Sequence, residues 1–490
     1  MCNKMKRTFK FFVLAMAVCM IMALTAFSSS AAESAKRVDP TTLQPTGERV
    51  VFIKDAPEGG KLSGDGSGVD ADNPYIPIDH EQFDPSADAP QNHLQTAFYQ
   101  ATELLMDEGG TIVICGPVHF GVGESYGSGG TTKDVFTAKW GTKKVIKFTS
   151  VYNGVDYRET AGAKITIETP AEIGVLGSSI WENIDIETKG TDRVISFASC
   201  PTLIGEGVNC YPSDEAYKEV ATNYVSLSGG HRYARGDDQI PTLTVQSGTY
   251  NKVVGALWGV STGKEMTNAT VYLTLEGTTK VLGVINGSIG KNTDFSGHVN
   301  LTINAGTYEC DIYGVGPTGM TNSDGTLDIV INGGDFSNAW SLSECAPGFR
   351  NNAPATVTLD FMNYTGDSAA LSQILALIPA GDFEDIKIPD SFKYIPPQVV
   401  DTEPEATRAV ETPKETEGET DSDPTVAEDG DESASAPTDN EDPAESDSEK
   451  VDKEPEGSDA LMITLIIVIV VSVAIIGTLS AIIFIKLKKK

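Results

Sequence analysis

The sequence predicts an all-β fold: a parallel β-helix, or solenoid, with coils of about 28 residues, a disordered acidic stalk and one C-terminal transmembrane helix. Three observations predict it: an octapeptide repeated at fixed spacing, period-2 alternation inside each copy, and an uncharged apolar run near the C-terminus. The octapeptides are LTVQSGTY from Leu243, LTLEGTTK from Leu273, LTINAGTY from Leu301, IVINGGDF from Ile329 and VTLDFMNY from Val357. Their third residues, Val245, Leu275, Ile303, Ile331 and Leu359, are separated by 30, 28, 28 and 28 positions. A unit of that length cannot bury its apolar face alone and must stack on its neighbours. Alternation of apolar and polar residues makes each unit a strand rather than a helix.

Stacking turns every repeat position into a ladder. Leu243, Leu273, Leu301, Ile329 and Val357, beside Val245, Leu275, Ile303, Ile331 and Leu359, form the inward aliphatic core. Thr244, Thr274, Thr302, Val330 and Thr358 form one outward ladder, and Gln246, Glu276, Asn304, Asn332 and Asp360 a second. Tyr250, Tyr308, Phe336 and Tyr364 fall five residues after the second aliphatic, with Lys280 out of line. Aromatics about 4.8 Å apart on successive coils can stack; they are expected inside or at a corner, with an outward sugar platform as the alternative. Gly248, Gly306 and Gly334 mark a tight turn that favours φ > 0. Second apolar runs at Val253–Trp258, Val281–Ile285, Ile312–Val315 and Ala339–Leu342 give each coil at least two sheet faces.

Residues 1–32 read as a secretory signal: Lys4, Lys6, Arg7 and Lys10, then the apolar run Phe11–Phe27, then Ser30, Ala31 and Ala32 as the cleavage site. Val18 before Cys19 argues against a lipid-modified cysteine. A linker, 33–49, leads to the ectodomain, 50–395, and an acidic stalk, 396–459, follows it. Asp401–Asp459 holds 23 Asp and Glu against 4 Lys and Arg, so −19 of the chain's −33 charges, too polar a stretch to bury a core. Ala460–Ile485 is 26 residues without a charge, about 39 Å as a helix, enough to span a bilayer. The tail 486–490 carries Lys486, Lys488, Lys489 and Lys490, which keep it cytoplasmic and place the ectodomain outside a plasma membrane.

The acidic balance, without a basic patch to neutralise phosphates, argues against nucleic acid as a partner. Cys115, Cys200, Cys210, Cys310 and Cys345 are too few and odd in number for a disulfide framework. Cys200 and Cys210 are near enough in sequence to pair; burial as small apolar residues is the other reading.

Ahead of the repeats, Val50–Lys54 reads as the first strand. The loop GDGSGVDADNP, Gly64–Pro74, follows, in which Asp65, Asp70 and Asp72 are weak candidates for a calcium ion; no other cofactor is expected. His93–Met106 is an amphipathic helix with Leu94, Ala97, Phe98, Ala101, Leu104 and Leu105 on one face, closed by Gly109. GGTIVICGPVHF, Gly109–Phe120, gives a buried strand stopped by Gly-Pro. Further strands are expected at Val145–Thr149, Ile165–Ile167, Ile184–Ile186, Val194–Phe197 and Val225–Leu227, in coils of 18 or 19 residues. Ser368–Ile378, capped by Asp367, and the strand Ile386–Tyr394 close the C-terminal end.

The DGS-type loop together with LQTAF from Leu94 and GGTI from Gly109 resembles the cap of the pectin-lyase-like superfamily of right-handed parallel β-helices. It is especially similar to the adhesive β-helix repeat proteins of Gram-positive cell surfaces. The resemblance covers Val50–Tyr364 and implies right-handed coils. Family members that cleave pectic glycans use clustered outward Asp, or Lys and Arg beside calcium-binding carboxylates. Asn292–Asp294 spells NTD but sits in a turn without a Gly-His-Gly or Arg-x-Lys partner. Glu276 and Asp360, three coils apart, would lie about 14 Å from each other, beyond a glycosidase pair's reach. His231, in GGHRYARGDD, is the outside catalytic candidate, and Arg235–Asp237 spells an integrin-type tripeptide. The expectation is a membrane-anchored, non-catalytic surface protein binding extracellular glycans or other surface proteins. A lyase or hydrolase of uronic glycans, or a purely structural protein, are the alternatives.

Overall fold

Apolar residues at every second position force the strands to face inward together, and the turns stack as parallel coils. The computed structural model describes residues 37–56, 62, 64–76, 96–120, 135–168, 172–230, 240–257, 266–288, 295–316, 325–346 and 356–395. All lie in the compact unit Met1–Thr402. The expected signal, stalk, span and tail lie outside the described residues. No helix among the described residues is long and apolar enough to cross a membrane.

Three parallel sheets form the walls. The long sheet has eleven strands, in spatial order Val50–Ile53, Gly110–Ile114, Gly141–Thr149, Gly177–Glu182, Thr202–Ile204, Thr242–Val245, Met266–Leu275, Phe295–Ile303, Thr326–Ile331, Thr356–Asp360 and Asp385–Lys387. A short sheet of four holds Pro117–His119, Lys164–Ile167, Asp185–Thr188 and Asn209–Pro212. The third has nine strands, from Val135–Phe136 to Ser341–Cys345. The first four turns visit long, short and third sheets in succession. From Thr242 onward the short sheet disappears and each turn visits two. The expected buried strand after Gly109 is Gly110–Ile114; it stops before Gly116-Pro117, where the chain turns into Pro117–His119 of the short sheet.

Register fixes the repeat. Leu243 pairs with Leu273, Leu273 with Leu301 and Leu301 with Ile329, all fully buried. The last coil slips by two residues: Ile329 pairs with Leu359 and Leu327 with Val357, so the final spacing is 359 − 329 = 30. A two-residue slip keeps every side chain on its face, which is why the inward reading of Val357 and Leu359 survives. It does move their partners. Asp360 stands beside Val330, in the threonine column, and Thr358 beside Asp328, so neither occupies the outward ladder expected of it. The 18- and 19-residue coils are also corrected. Leu227 and Val245 lie on different sheets, while Ile165 pairs with Ile186, a 21-residue coil.

The aromatics close the corner where the short sheet is missing. Tyr250 and Tyr308 are fully buried and Phe336 nearly so, with the Tyr308 and Phe336 rings 4.9 Å apart. They are not a sugar platform. Tyr250 pairs with Val281, and Val281 with Tyr308, so Val281 and not Lys280 holds the position in the second coil; its turn, through Gly277, is one residue longer. Tyr364 leaves the stack and meets Phe361 edge-on at 6.2 Å. Each tyrosine hydroxyl bonds back to its own turn, Tyr250 to the Ser247 carbonyl at 2.8 Å and Tyr308 to that of Ala305. The turn glycines are needed twice over. Gly248 and Gly306 hold φ of 99° and 117°, and a Cβ there would lie 2.3 and 2.6 Å from the tyrosine hydroxyl.

Both ends are capped. The helix Ala97–Leu105 is capped by Thr96, whose hydroxyl accepts from Tyr99 N at 3.2 Å; His93–Gln95 of the expected helix lie outside the described residues. Phe98 stacks on Phe120 and Phe148 at 4.2 and 5.1 Å, plugging the first coil. At the other end Asp367 caps Ser368–Ala376, and Leu377, Asp382 and Phe383 bond to Leu342, Ser343 and Glu344 along the edge of the third sheet. The expected strand to Tyr394 shrinks to Asp385–Lys387, since the chain turns at Pro389, which has no N–H for a ladder.

Because the ladders carry the fold, Leu301→Ala should cost about 2–5 kcal/mol. Gly306→Ala combines a positive φ with collision and should cost about 2–4 kcal/mol, whereas Gly154→Ala, at φ 79° with open space, should cost about 1 kcal/mol. Denaturant unfolding of the three variants checks the order; Gly306→Ala matching Gly154→Ala would remove the tyrosine collision from the account.

Candidate functional site

The outer face of the long sheet is half covered. Residues Arg37–Arg49, read from sequence as a linker, form a strap across it. Leu43 packs on Val145, Ile180 and Leu203, three apolar residues that point outward. Thr46 bonds to Val145 N and to the Glu108 carbonyl, and the Arg37 guanidinium sits 4.4 Å over the Tyr272 ring. Under the strap Thr242 and Thr244 are 1 and 2% exposed. Thr244 is thereby excluded as a surface contact, because the short helical turn Pro40–Thr42 packs on its strand.

Beyond the strap the face is open and polar. Thr274, Thr302, Thr358 and Asp360 are half-exposed. Among the described residues the Thr274 and Thr302 hydroxyls have no side-chain hydrogen bond. The next ladder bonds to itself: Gln246 donates to Glu276 at 2.9 Å, Asn304 donates to Glu276 at 3.2 Å, and Asn332 donates to Asn304 at 2.9 Å. Both Glu276 oxygens are thus occupied. Asp360 accepts from Met362 N at 2.8 Å and lies 3.7 Å from Lys387. The structure brings Gln246, Glu276, Asn304 and Asn332 together, and separates Thr358 and Asp360 from them.

The short sheet carries a face that the repeat search passed over. Lys164, Thr166 and Glu168 stand outward beside Asp185, Glu187 and Lys189, because Ile165, Ile167 and Ile186 take the inward positions. Lys164 binds Glu187 at 2.7 Å and Lys189 binds Glu168. His119 is clasped on both sides: Nδ1 lies 2.8 Å from Asp55 Oδ2 and Nε2 3.3 Å from Glu168 Oε1, while its N–H donates to Asp55 at 2.7 Å. Burial alone would lower the imidazole, but hydrogen bonds and charge from Asp55 and Glu168 outweigh it and push it up to about 9. The bond from His119, against burial and with help from Lys189, holds Glu168 down at about 2. Burial raises the Asp185 carboxyl, partly offset by Arg158 and Asn209. The signal was present as KITIE from Lys164, alternating polar and apolar, with DIETK 21 residues on from Asp185.

The aspartates of the Gly64–Pro74 loop serve its backbone. Asp65 accepts from Ser67 N at 2.9 Å, and Asp70 from Asp72 N and Asn73 N at 3.0 and 2.8 Å. No cluster of three metal-ligating side chains occurs among the described residues. Cys115, Cys200, Cys210, Cys310 and Cys345 are buried and form no disulfide among the described residues, so Cys200 and Cys210 are not bridged; burial pushes the Cys115 and Cys210 thiols to about 11 and 12. Asn292–Asp294, His231 and Arg235–Asp237 lie outside the described residues. Compared with known protein families, curated proteins and solved structures, the chain matches none.

The His119 clasp makes stability depend on alkali. An unfolded histidine releases its proton near 6.5 and folded His119 near 9, so its contribution is complete below about 6.5 and lost as pH climbs through 9. The melting temperature should fall about 2–6 °C further between pH 6.5 and 9.5 in wild type than in His119→Gln. Parallel pH profiles for the two proteins would show that the clasp carries no such linkage.

Proposed function

We propose that this chain is a membrane-anchored surface β-helix that binds extracellular glycans or other surface proteins without catalysis. The observation that carries the reading is the open half of the long sheet, where half-exposed Thr274 and Thr302, whose hydroxyls have no side-chain hydrogen bond among the described residues, stand in register beside a self-bonded ladder of Gln246, Glu276, Asn304 and Asn332. Parallel strands repeat these groups about every 4.8 Å, so an extended partner lying across the strands meets like chemistry at each step. The signal, the acidic stalk and the uncharged run Ala460–Ile485 support display outside a plasma membrane. The stack of parallel coils is in keeping with kinship to the pectin-lyase-like superfamily and its adhesive Gram-positive members, and with right-handed coiling. That kinship is part of the proposal. No cofactor is invoked.

One observation favours the second reading, an anchored hydrolase or lyase of uronic glycans. Asp185 and Glu187 project from one strand of the short sheet with their Cβ atoms about 7 Å apart, within the range of an acid and base flanking a glycosidic bond. The raised Asp185 carboxyl suits the acid. Against this, Glu187 is engaged by both Lys164 and Thr166.

A panel of polysaccharides and cell surfaces, applied to residues 33–395 with calcium and with chelator, separates the readings. Retention without turnover is expected, reduced several-fold in the Thr274→Val/Thr302→Val double variant and unchanged in Thr244→Val, with stability altered by less than about 0.5 kcal/mol per exposed site. Turnover abolished by Asp185→Asn or Glu187→Gln would establish the enzyme instead. Neither retention nor turnover on any surface or glycan would sink both.

A further inference from the structure

The two edges of the long sheet differ. At Val50–Ile53 the edge is closed: Phe52 donates to the Gly68 carbonyl at 2.9 Å and accepts from Tyr75 N at 2.8 Å. At Asp385–Lys387 it is open, since this strand pairs with Thr356–Asp360 on one side and has no strand on the other. The Lys387 carbonyl accepts from Phe361 N at 2.8 Å, so Asp385 and Lys387 turn their backbone groups toward that neighbour. Ile386, between them, turns its N–H and C=O the other way, and among the described residues nothing bonds to either. Asp385 and Lys387 are exposed and Ile386 is half-buried. Asp385 has no ion pair among the described residues, and Lys387 lies 3.7 Å from Asp360, an exposed contact of little strength.

An unpaired edge invites another strand, and charges placed on it commonly keep one away. Here the two charges have opposite sign and stand symmetrically about Ile386. A second copy laid antiparallel, with a two-fold axis at Ile386, sets Asp385 opposite the partner's Lys387 and Lys387 opposite the partner's Asp385. The Ile386 N–H and C=O then meet those of the partner's Ile386 as a hydrogen-bonded pair. The charged pairs fall at the closer, non-hydrogen-bonded positions, about 4.5 Å apart at Cα, where opposite charges stabilise a strand pair and like charges oppose it. A parallel strand in the same register would set like charges together. Head-to-tail stacking is closed as well, because the opposite edge already bonds to Gly68 and Tyr75. Only a tail-to-tail contact remains, which is complete at two copies. We propose that two copies of this chain pair through the edge strand Asp385–Lys387, antiparallel about Ile386, so that their long sheets join into one. The two-fold axis is perpendicular to the sheet and keeps both outer faces on the same side. The column that holds Thr274 and Thr302 ends at Lys387 and thus runs on into the partner's Asp385 and the partner's Thr358. Pairing needs no glycan, yet it lengthens the polar lane that a glycan would meet.

The test uses the full chain in mild detergent, its mass followed by light scattering as concentration rises. Wild type is expected to pass from monomer to dimer. Asp385→Lys and Lys387→Asp should each lower the dimer fraction several-fold, because each sets like charges opposite one another across the two-fold. An equimolar mixture of the two should recover it, since one variant presents two cations at the edge and the other two anions; recovery also shows that both fold. Register is read by cysteine: Asp385→Cys mixed with Lys387→Cys should form an intersubunit disulfide under mild oxidation. Neither alone should, because identical positions stand two residues out of register, beyond the roughly 7 Å a disulfide spans. A wild type that stays monomeric, charge reversals that leave the dimer intact, a mixture no more dimeric than its parts, or equal cross-linking of either cysteine variant alone would each overturn the pairing.

Discussion

Hydrogen bonding between coils, rather than within them, is the constraint on which everything else rests. A turn such as Leu273–Leu301 makes its ladder bonds to the turns before and after it, and its Leu and Val side chains are buried only because the neighbouring coils cover them. A single coil therefore has no stability of its own. Two consequences follow. The array must be closed at both ends, which Phe98 and its helix do at one and the segment Phe361–Phe383 does at the other. The repeat must also preserve its register, since a slip by one residue would expose every leucine, whereas the slip by two at Leu359 is harmless.

That asymmetry explains what could be read from the sequence. The inward columns were legible because burial selects aliphatics strictly, and a two-residue error of alignment leaves an inward residue inward. The outward columns were less legible for the same reason. Nothing in the alternation distinguishes Thr358 beside Asp328 from Thr358 beside Val330, so the repeat period puts Asp360 in the wrong ladder. The aromatic corner was half legible: period gave Tyr250, Tyr308 and Phe336, but the longer turn at Gly277 shifted the count by one and hid Val281. The first four turns were hardest. Their three-sheet coils vary in length, as 186 − 165 = 21 on the short sheet against 245 − 204 = 41 on the long one, so no period announces them.

Apolar residues that face outward were a second source of difficulty. Val145, Ile180 and Leu203 on the long sheet, and Phe52 and Val113 on its first strands, break the rule of apolar inside and polar outside. Each group is covered by chain that precedes or interrupts the coils. Leu43 of the strap lies on the first group. The second is covered by Ala71 of the Gly64–Pro74 loop with Tyr152 and Tyr157, whose rings meet Phe52 edge-on. The loop that reads as a calcium site is thus better understood through its packing and its backbone: Gly68 and Tyr75 exchange hydrogen bonds with Phe52, and Asp65 and Asp70 hold its turns.

The loss of the short sheet after the fourth turn divides the outer surface chemically. In the three-sheet part, outward positions are locked into ion pairs, His119 between Asp55 and Glu168, and Lys164 on Glu187, so that changing one residue strands a partly buried charge. In the two-sheet part, Tyr250 and Tyr308 fill the corner from inside, and the outward amides bond along their own ladder, Asn332 to Asn304 and Asn304 to Glu276. Their substitution leaves the aliphatic ladder untouched. Such positions can change to suit a partner without disturbing the stack, because recognition and stability there depend on opposite faces of the same strand. This separation is the physical reason the proposed binding face is placed on the later coils.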